Sequence, residues 1–350
     1  MKVAIIALSI KGALGQYAHC LCGALAKSSE VTLVAPAHFA YEPDGYAWQK
    51  MATARSRAQA AVRLVNPLQG LGMWRDIVRL QPDVVHILSG ESYPWCAMGA
   101  PAFVRGGLPL VTTVHDVTPH GKDLFGAISV RLRKPVLRAS TLLHVHSESA
   151  RSQLGPLAAR ARVIPHGGFG PIFTRHKTGL AREPKTILFF GRIEHYKGVD
   201  ILLEAAKALG SDWKIIIAGP GKIESPLAAM IAADPRVELR NGYLSDAEVA
   251  ALYERASVCA LPYRDATASS VPLISSAFGV PVVASNVGAF PVDVALVGGL
   301  LVPPENPRAL AEAIAKAEAM PVKHPVELEF SFLKDKFLEV YREAQSKRTP

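Results

Sequence analysis

The chain has 350 residues, of which 49% are hydrophobic and 20% charged, and its formal net charge is +9. That length exceeds what one core usually organises, so two domains are expected. No apolar run reaches transmembrane length, the start Met1-Lys2-Val3 lacks a signal-peptide layout, and Cys20, Cys22, Cys96 and Cys259 show no metal spacing, so a cytoplasmic protein with free thiols is expected. The 11 histidines are scattered too, and no metal site is expected.

The charge is one-sided. Residues 1–170 hold 18 Lys and Arg against 9 Asp and Glu, whereas residues 171–350 hold 21 of each. Such asymmetry points to an anionic partner for the first half. Nucleic acid is disfavoured, because no recognisable module is present and few aromatics lie among the basic residues. An anionic membrane surface is the better candidate.

Residues 2–8 read as a buried strand, followed by a turn containing Gly12 and Gly15 and an amphipathic helix to about Lys27. Strand, glycine turn and helix open a doubly wound α/β unit. The spacing is not GxGxxG, which disfavours a dinucleotide; Gly12 and Gly15 either only make the turn or let an acceptor approach the backbone. Residues 31–35 form a second strand, and 36–60, with Tyr41, Tyr46 and Trp48, read as a long functional loop. A β run follows at 62–65, a helix at 73–80, a strand at 83–87 ending in Ser89-Gly90-Glu91, and a strand at 110–114 ending in His115-Asp116. Ligands of open α/β sheets lie outside the carboxyl ends of the strands, which makes His115 and Asp116 candidates. The competing reading of His115 is a satisfied structural imidazole, the role expected for His86 inside its strand. Residues 126–138 set Arg131, Arg133, Lys134 and Arg138 among apolar neighbours, and short strands at 141–145 and 162–164 complete the first sheet.

Residues 165–184 are rich in Gly and Pro without periodicity, as expected of a linker. The segment KTILFFGRIEHYKGVDILLEAAKALG, residues 185–210, is a buried strand, a basic turn and a helix. Gly191 lets the chain leave the strand tightly, and Arg192 and Lys197 bring two cations to a helix start, where free N–H groups favour an anion. Either this is a diphosphate clamp or the two are ordinary solvated cations. Strands at 214–218, 237–239, 258–261 and 281–284 alternate with helices, of which 245–256 carries a capping pattern. After the strand at 258–261 comes PYRDATASS, and Ser269 or Ser270 is expected to cap the next helix. The N–H groups of Ser269, Ser270 and Val271 would then meet phosphate or ribose. Residues 298–304 read as an edge strand, and 307–319 and 332–344 as helices.

The order of FFGRIEHYKGVDILLEAA, IIIAGPG, VELRNGYLSDAEVAALYERASVCALPYR, AFGVPVVASNVGAFPVDV and GGLLVPPENPRALAEAI resembles the retaining nucleotide-sugar glycosyltransferases of family four. QPDVVHI, TTVHD and VIPHG extend the resemblance into the first half. It implies the GT-B fold: α/β, with two doubly wound Rossmann-like domains facing each other across a cleft. It also implies that Gly191, Arg192 and Lys197 hold the donor diphosphate, that Gly219 and Gly221 shape the nucleotide pocket, and that His115 lies at the sugar. One departure is plain. The family usually carries two glutamates eight positions apart before its small-residue helix, and those positions are Ala266 and Ile274 here, with a DATASS run beside them.

The resulting expectation is an acceptor-side domain at 1–168, a linker at 169–185, a nucleotide-sugar domain at 186–330 and a terminal helix at 331–350 that packs back on the first domain. The expected activity is metal-free transfer of a hexose, with retention, from an NDP-sugar to a lipid-linked or glycan acceptor at the inner face of a membrane. His115 and Asp116 would be catalytic, and Gly12 and Gly15 would face the acceptor. The alternatives are a non-catalytic nucleotide-sugar-binding subunit and a GT-B sugar-nucleotide epimerase.

Overall fold

The computed structural model describes residues 1–10, 12–51, 67–117, 124–266 and 269–347. The β run expected at 62–65 lies outside these residues, as do Thr267 and Ala268 of the DATASS run. Two compact units emerge, Met1–Gly167 with Phe330–Pro350, and Gly168–Glu329.

The first unit runs β1 (Lys2–Ala7), α1 (Ala13–Ala26), β2 (Glu30–Pro36), β3 (Ala47–Met51), α2 (Pro67–Arg79), β4 (Val84–Ser89), α3 (Pro94–Arg105), β5 (Leu110–Thr113), α4 (Leu124–Ala139), β6 (Leu142–Val145), α5 (Glu148–Gln153) and β7 (Ala161–Val163). Its sheet is parallel in the order β3-β2-β1-β4-β5-β6-β7. Strands covered on both faces need near-continuous apolar runs, and β1 supplies one, with Val3 to Ala7 all buried. The strand β3 falls within the segment read as a loop. It is a half-exposed edge strand whose residues show no apolar run, and it is held by its ladder to β2, in which Leu33 pairs with Trp48. The order reverses beside β1, so the chain leaving β1 and the chain leaving β4 run to opposite sides of the sheet.

The second unit runs α6 (Gly170–Thr174), β8 (Thr186–Phe190), α7 (Val199–Ala206), β9 (Lys214–Gly219), α8 (Ser225–Ala233), β10 (Val237–Asn241), α9 (Asp246–Arg255), β11 (Val258–Leu261), α10 (Val271–Ala277), β12 (Val282–Ser285), α11 (Phe290–Val297), β13 (Leu300–Val302) and α12 (Pro307–Ala317). Its parallel sheet has the order β10-β9-β8-β11-β12-β13. Helix α9 opens on a full capping box, Ser245 with Glu248. The segment read as a linker is not one throughout, because Phe169, Ile172 and Phe173 are buried around α6, which packs on α9 and α10. A helix of five residues is too short to show a period in the sequence. The last helix, α13 (Phe330–Ser346), belongs to the first unit, where it buries Phe330, Leu333, Phe337 and Tyr341 and packs on α1, β4 and β5.

Candidate functional site

In the second sheet the strand order reverses between β8 and β11, the position where open α/β sheets leave a crevice. The loop leaving β8 lies along the exit of β9: Gly191 N–H donates to Ala218 (3.0 Å) and Ile193 N–H to Pro220 (2.8 Å). A Cβ on Gly219 would collide with the Gly191 carbonyl, and one on Gly221 with that of Ile193. Both glycines are thus required for two loops to stack. The β8 loop then makes a single 3-10 turn, His195–Lys197, and passes into α7 through Gly198, at φ 69°. A Cβ there would strike the carbonyl of Pro262 at the end of β11, so this loop rests on both its neighbours.

The two cations of the loop are held differently. Arg192 pairs with Glu194 at 2.7 Å and donates to the Tyr196 hydroxyl at 3.1 Å, its side chain 63% exposed. Lys197 forms no ion pair among the described residues. Its Nζ lies over the Tyr263 ring, 3.7 Å from the centroid, and 5.1 Å from that of Tyr196. Burial, helped by the charge of Arg192, lowers its pKa to about 8. A third cation, Arg264, is structural: it grips both carboxylate oxygens of Asp200 (2.9 and 2.7 Å), reaches Glu305 (3.0 Å) and donates to the His195 carbonyl (2.7 Å).

The expected serine cap of α10 is not formed in the usual way. Ser270 precedes the helix with φ −78° and ψ −11°, already helical, and makes no capping bond; the Ser269 hydroxyl accepts from Val271 N–H only at 3.4 Å. A capping side chain needs an extended backbone, which Ser270 lacks. Pro272, second in the helix, has no N–H to offer. Ala266 and Ile274, where the family carries glutamates, are buried.

In the first unit, β5, β6 and β7 each deliver a histidine shortly beyond the carboxyl end: His115, His146 and His166. Their rings surround Tyr17 of α1, with centroids 5.5, 5.8 and 5.3 Å away. A carbonyl only accepts, so His115 Nε2 carries the hydrogen given to Leu88 O (2.9 Å), and its Nδ1 accepts from His146 Nε2 (3.1 Å). His146 Nδ1 is buried with no hydrogen-bond partner among the described residues. Beneath them a second chain is fully ordered by the same logic. The Tyr341 hydroxyl donates to His86 Nδ1 (2.8 Å), His86 Nε2 to the Thr113 hydroxyl (2.7 Å), Thr113 to His144 Nδ1 (2.9 Å), and His144 Nε2 to Ile164 O (3.0 Å). All five imidazoles are neutral near pH 7. Burial lowers His115 and His166 to about 4, His144 to about 3, and His86 and His146 well below the usual value. His146 and His166 were missed because only their position past a strand end, in HVHS and IPHGG, marks them.

Asp116 is exposed, and its carbonyl accepts from Arg133 at 2.7 Å; the Arg133 guanidinium also bonds the Val117 carbonyl. Arg133 therefore turns inward to hold the backbone after His115 and is not part of the basic face on which it was placed. From residue 128 onward the exposed residues of α4 are Ile128, Arg131, Lys134, Pro135 and Arg138, a stripe at helical spacing. Gly12 precedes α1 at φ 58°, and Gly15 lies so close to the Ile10 carbonyl that a Cβ would press on it. Among the described residues no group of His, Cys, Asp and Glu is arranged to hold a metal, and no helix is long and apolar enough to cross a membrane.

Known proteins resemble this chain in sequence and fold. The family described as Glycosyltransferase Family 4 matches residues 14–167, and Glycosyl transferases group 1 matches residues 184–319. The D-rhamnosyltransferase WbpZ of Pseudomonas aeruginosa is 27% identical over 287 residues, 74% of this chain and 70% of that protein. A D-inositol 3-phosphate glycosyltransferase of Mycobacteroides abscessus is 28% identical over 61% of this chain, which spans only 54% of that relative's length. Among solved structures, the catalytic domain of Arabidopsis thaliana starch synthase IV matches with a TM-score of 0.69 at 13% identity, covering 99% of both chains. Anabaena HepE in complex with UDP matches with a TM-score of 0.64 at 18% identity, covering 99% of this chain and 96% of that one. At such identities the structures speak for the fold alone, which is GT-B. With both halves matched in order, the chain belongs to the family-four type of GT-B glycosyltransferases.

Proposed function

We propose that this glycosyltransferase moves a hexose from an NDP-sugar to a lipid-linked or polysaccharide-precursor acceptor, with retention of the anomeric configuration. The observation that carries the donor half of the reading is the pair Arg192 and Lys197 at the switch point of the second sheet. Glycosyl transfer expels a nucleoside diphosphate, so fixed cations act most where the leaving group gathers charge. Gly191, Gly219 and Gly221 shape the backbone of the donor site, and Ser269, Ser270 and Val271 border it at the end of β11. With two cations on the diphosphate, no metal is required, and a chelator should leave turnover unchanged.

In the first unit His115 is assigned to the transferred sugar and Asp116 to the same end of the site, while Gly12 and Gly15 belong to the acceptor side. His115 already gives its N–H to Leu88, so what it offers a sugar hydroxyl is Nδ1, in competition with His146. The stripe Arg131, Lys134 and Arg138 beside exposed Ile128 supports docking on an anionic membrane, at its cytoplasmic face. A bound UDP in HepE and the rhamnosyl donor implied by the name of WbpZ support a nucleotide-sugar donor without choosing the base.

The test is to incubate purified protein with UDP-, GDP-, ADP- and dTDP-sugars, with and without bacterial lipid extract, and to follow released diphosphate and products by NMR. Lipid-dependent release of nucleoside diphosphate, with a product whose anomeric configuration is that of the donor, supports the reading. Conversion of donor without acceptor would make the chain an epimerase, and binding without turnover a non-catalytic subunit.

A further inference from the structure

The lysine of the donor loop is held in an unusual manner. A half-buried ammonium ordinarily sits beside a carboxylate, yet Lys197 has no such partner among the described residues. It lies instead over the face of Tyr263, 3.7 Å from the ring centroid. That ring cannot drift. Tyr263 is 1% exposed, and its ring packs on Phe290 and Tyr196, with centroids 4.9 and 6.4 Å away. Its neighbours fix the same loop from both sides: the Pro262 carbonyl is in contact with Gly198, Arg264 N–H donates to the Tyr196 carbonyl at 2.7 Å, and the Arg264 side chain holds the His195 carbonyl. Three consecutive residues at the end of β11 thus set the position of a cation at the end of β8.

We propose that Tyr263 is the positioning residue for Lys197, holding its ammonium over the ring face so that the diphosphate of the donor meets a fixed and unneutralised charge. The inference rests on the reading of Lys197 as a diphosphate ligand. The physical reason is that an aromatic face attracts a cation through its quadrupole without offering an acceptor that competes with phosphate. A carboxylate in the same place would hold the lysine equally well but would cancel the charge and have to be displaced. The ring also lets the cation remain desolvated, where its attraction to an anion is strongest.

The experiment measures UDP, GDP, ADP and dTDP binding by calorimetry at pH 7 and carries the tightest diphosphate into a set of variants. Lys197→Ala should lose about tenfold or more in affinity, and Tyr263→Phe, which keeps the ring, should stay within about twofold. Tyr263→Leu should lose about tenfold, and in a Lys197→Ala background it should cost nothing further, since the coupling is then already gone. Because Tyr263 is buried and Leu leaves a void, a second series is decisive: phenylalanines of increasing fluorination at position 263 keep shape while weakening the ring face. Affinity that falls steadily along that series supports the positioning role, which a merely structural ring would not produce. A flat series beside a large loss at Lys197→Ala overturns the role of Tyr263 alone. Unchanged affinity in Lys197→Ala, or no binding of any of the four diphosphates, overturns the donor reading beneath it.

Discussion

Replacing Lys197 by arginine tests the donor site through its pH dependence. The lysine titrates at about 8 in place of its ordinary 10.5, chiefly because of burial. Only the ammonium form attracts phosphate, so affinity should fall as pH rises through that value. One unit above its pKa roughly a tenth of the group is charged, which corresponds to about 1.4 kcal/mol, or a tenfold loss of affinity between pH 7 and 9. The loss levels off once the whole charge-assisted bond is forfeited, about 1.5 to 3 kcal/mol. An arginine at this position stays charged throughout, so Lys197→Arg should bind with no such fall over the same range, whatever its absolute affinity. By linkage, wild-type binding near pH 8.5 should take up a proton, seen as a calorimetric heat that varies with the ionisation enthalpy of the buffer. The terminal phosphate has a second pKa of about 6, so it adds a small opposite slope near pH 7 that wild type and Lys197→Arg share, and the difference between the two proteins isolates the lysine. Calorimetry at constant ionic strength measures both quantities. A wild-type affinity that is level from pH 7 to 9.5, or equal slopes in wild type and Lys197→Arg, would refute the clamp.

His115→Ala should lower turnover about tenfold to a hundredfold while leaving NDP affinity within twofold, because NDP lacks the sugar that His115 is assigned to touch; equal losses in both would return His115 to a structural role. Acid should weaken the first unit. His86 and His144 are neutral when folded and titrate near 6.5 when unfolded, so stability is lost as pH falls below 6.5, by about 2 kcal/mol per histidine at pH 5. A melting temperature unchanged between pH 7 and 5 would contradict this. Ile274→Glu, which restores the family's residue type, should destabilise the second unit by several kcal/mol and not raise activity, since the position is 2% exposed; thermal melting and turnover decide it. Arg131, Lys134 and Arg138 together changed to Ser should reduce sedimentation with anionic vesicles, at about 1 kcal/mol per cation, and a protein that never distinguished anionic from neutral vesicles would sink the docking stripe.

The parallel sheets were legible because strands buried on both faces must be near-continuously apolar, as in VAIIA of β1 and IIIAG of β9. The position of the loop after β8 was legible for a related reason: Gly191, Arg192, Lys197 and Gly198 stand between a clear strand and a clear helical period. What escaped was set by contacts distant in sequence. Strand β3 exists through its ladder to β2, and α3, with Pro94 at its start and Pro101 within, is stabilised where Trp74 of α2 packs on it and donates to Trp95 O at 2.8 Å. The inward turn of Arg133 had no local sign, because its acceptors are backbone carbonyls 16 and 17 positions earlier. The pairing of His146 with His115 joins residues from adjacent strands 31 positions apart, and no spacing rule reaches that far.

If both cations bind the donor diphosphate as proposed, they do not contribute equally, on energetic grounds. Arg192 must release Glu194 before it can bind phosphate with its full fork, and although an exposed pair is worth only up to about 1 kcal/mol, that amount is subtracted from what the phosphate gains. Lys197 has no carboxylate to release. Its desolvation is already a cost of the folded state, expressed in its lowered pKa, and an arriving diphosphate relieves that cost as well as adding a bond. The same logic bears on the departure from the family pattern. Ala266 and Ile274 themselves add no negative charge after β11, so on the proposed reading the charged pair Arg192 and Glu194 and the lone Lys197 are what the β8 loop brings to a diphosphate. A site without the family's carboxylates therefore depends more heavily on the placement of one lysine, and that placement is given by the aromatic face beneath it.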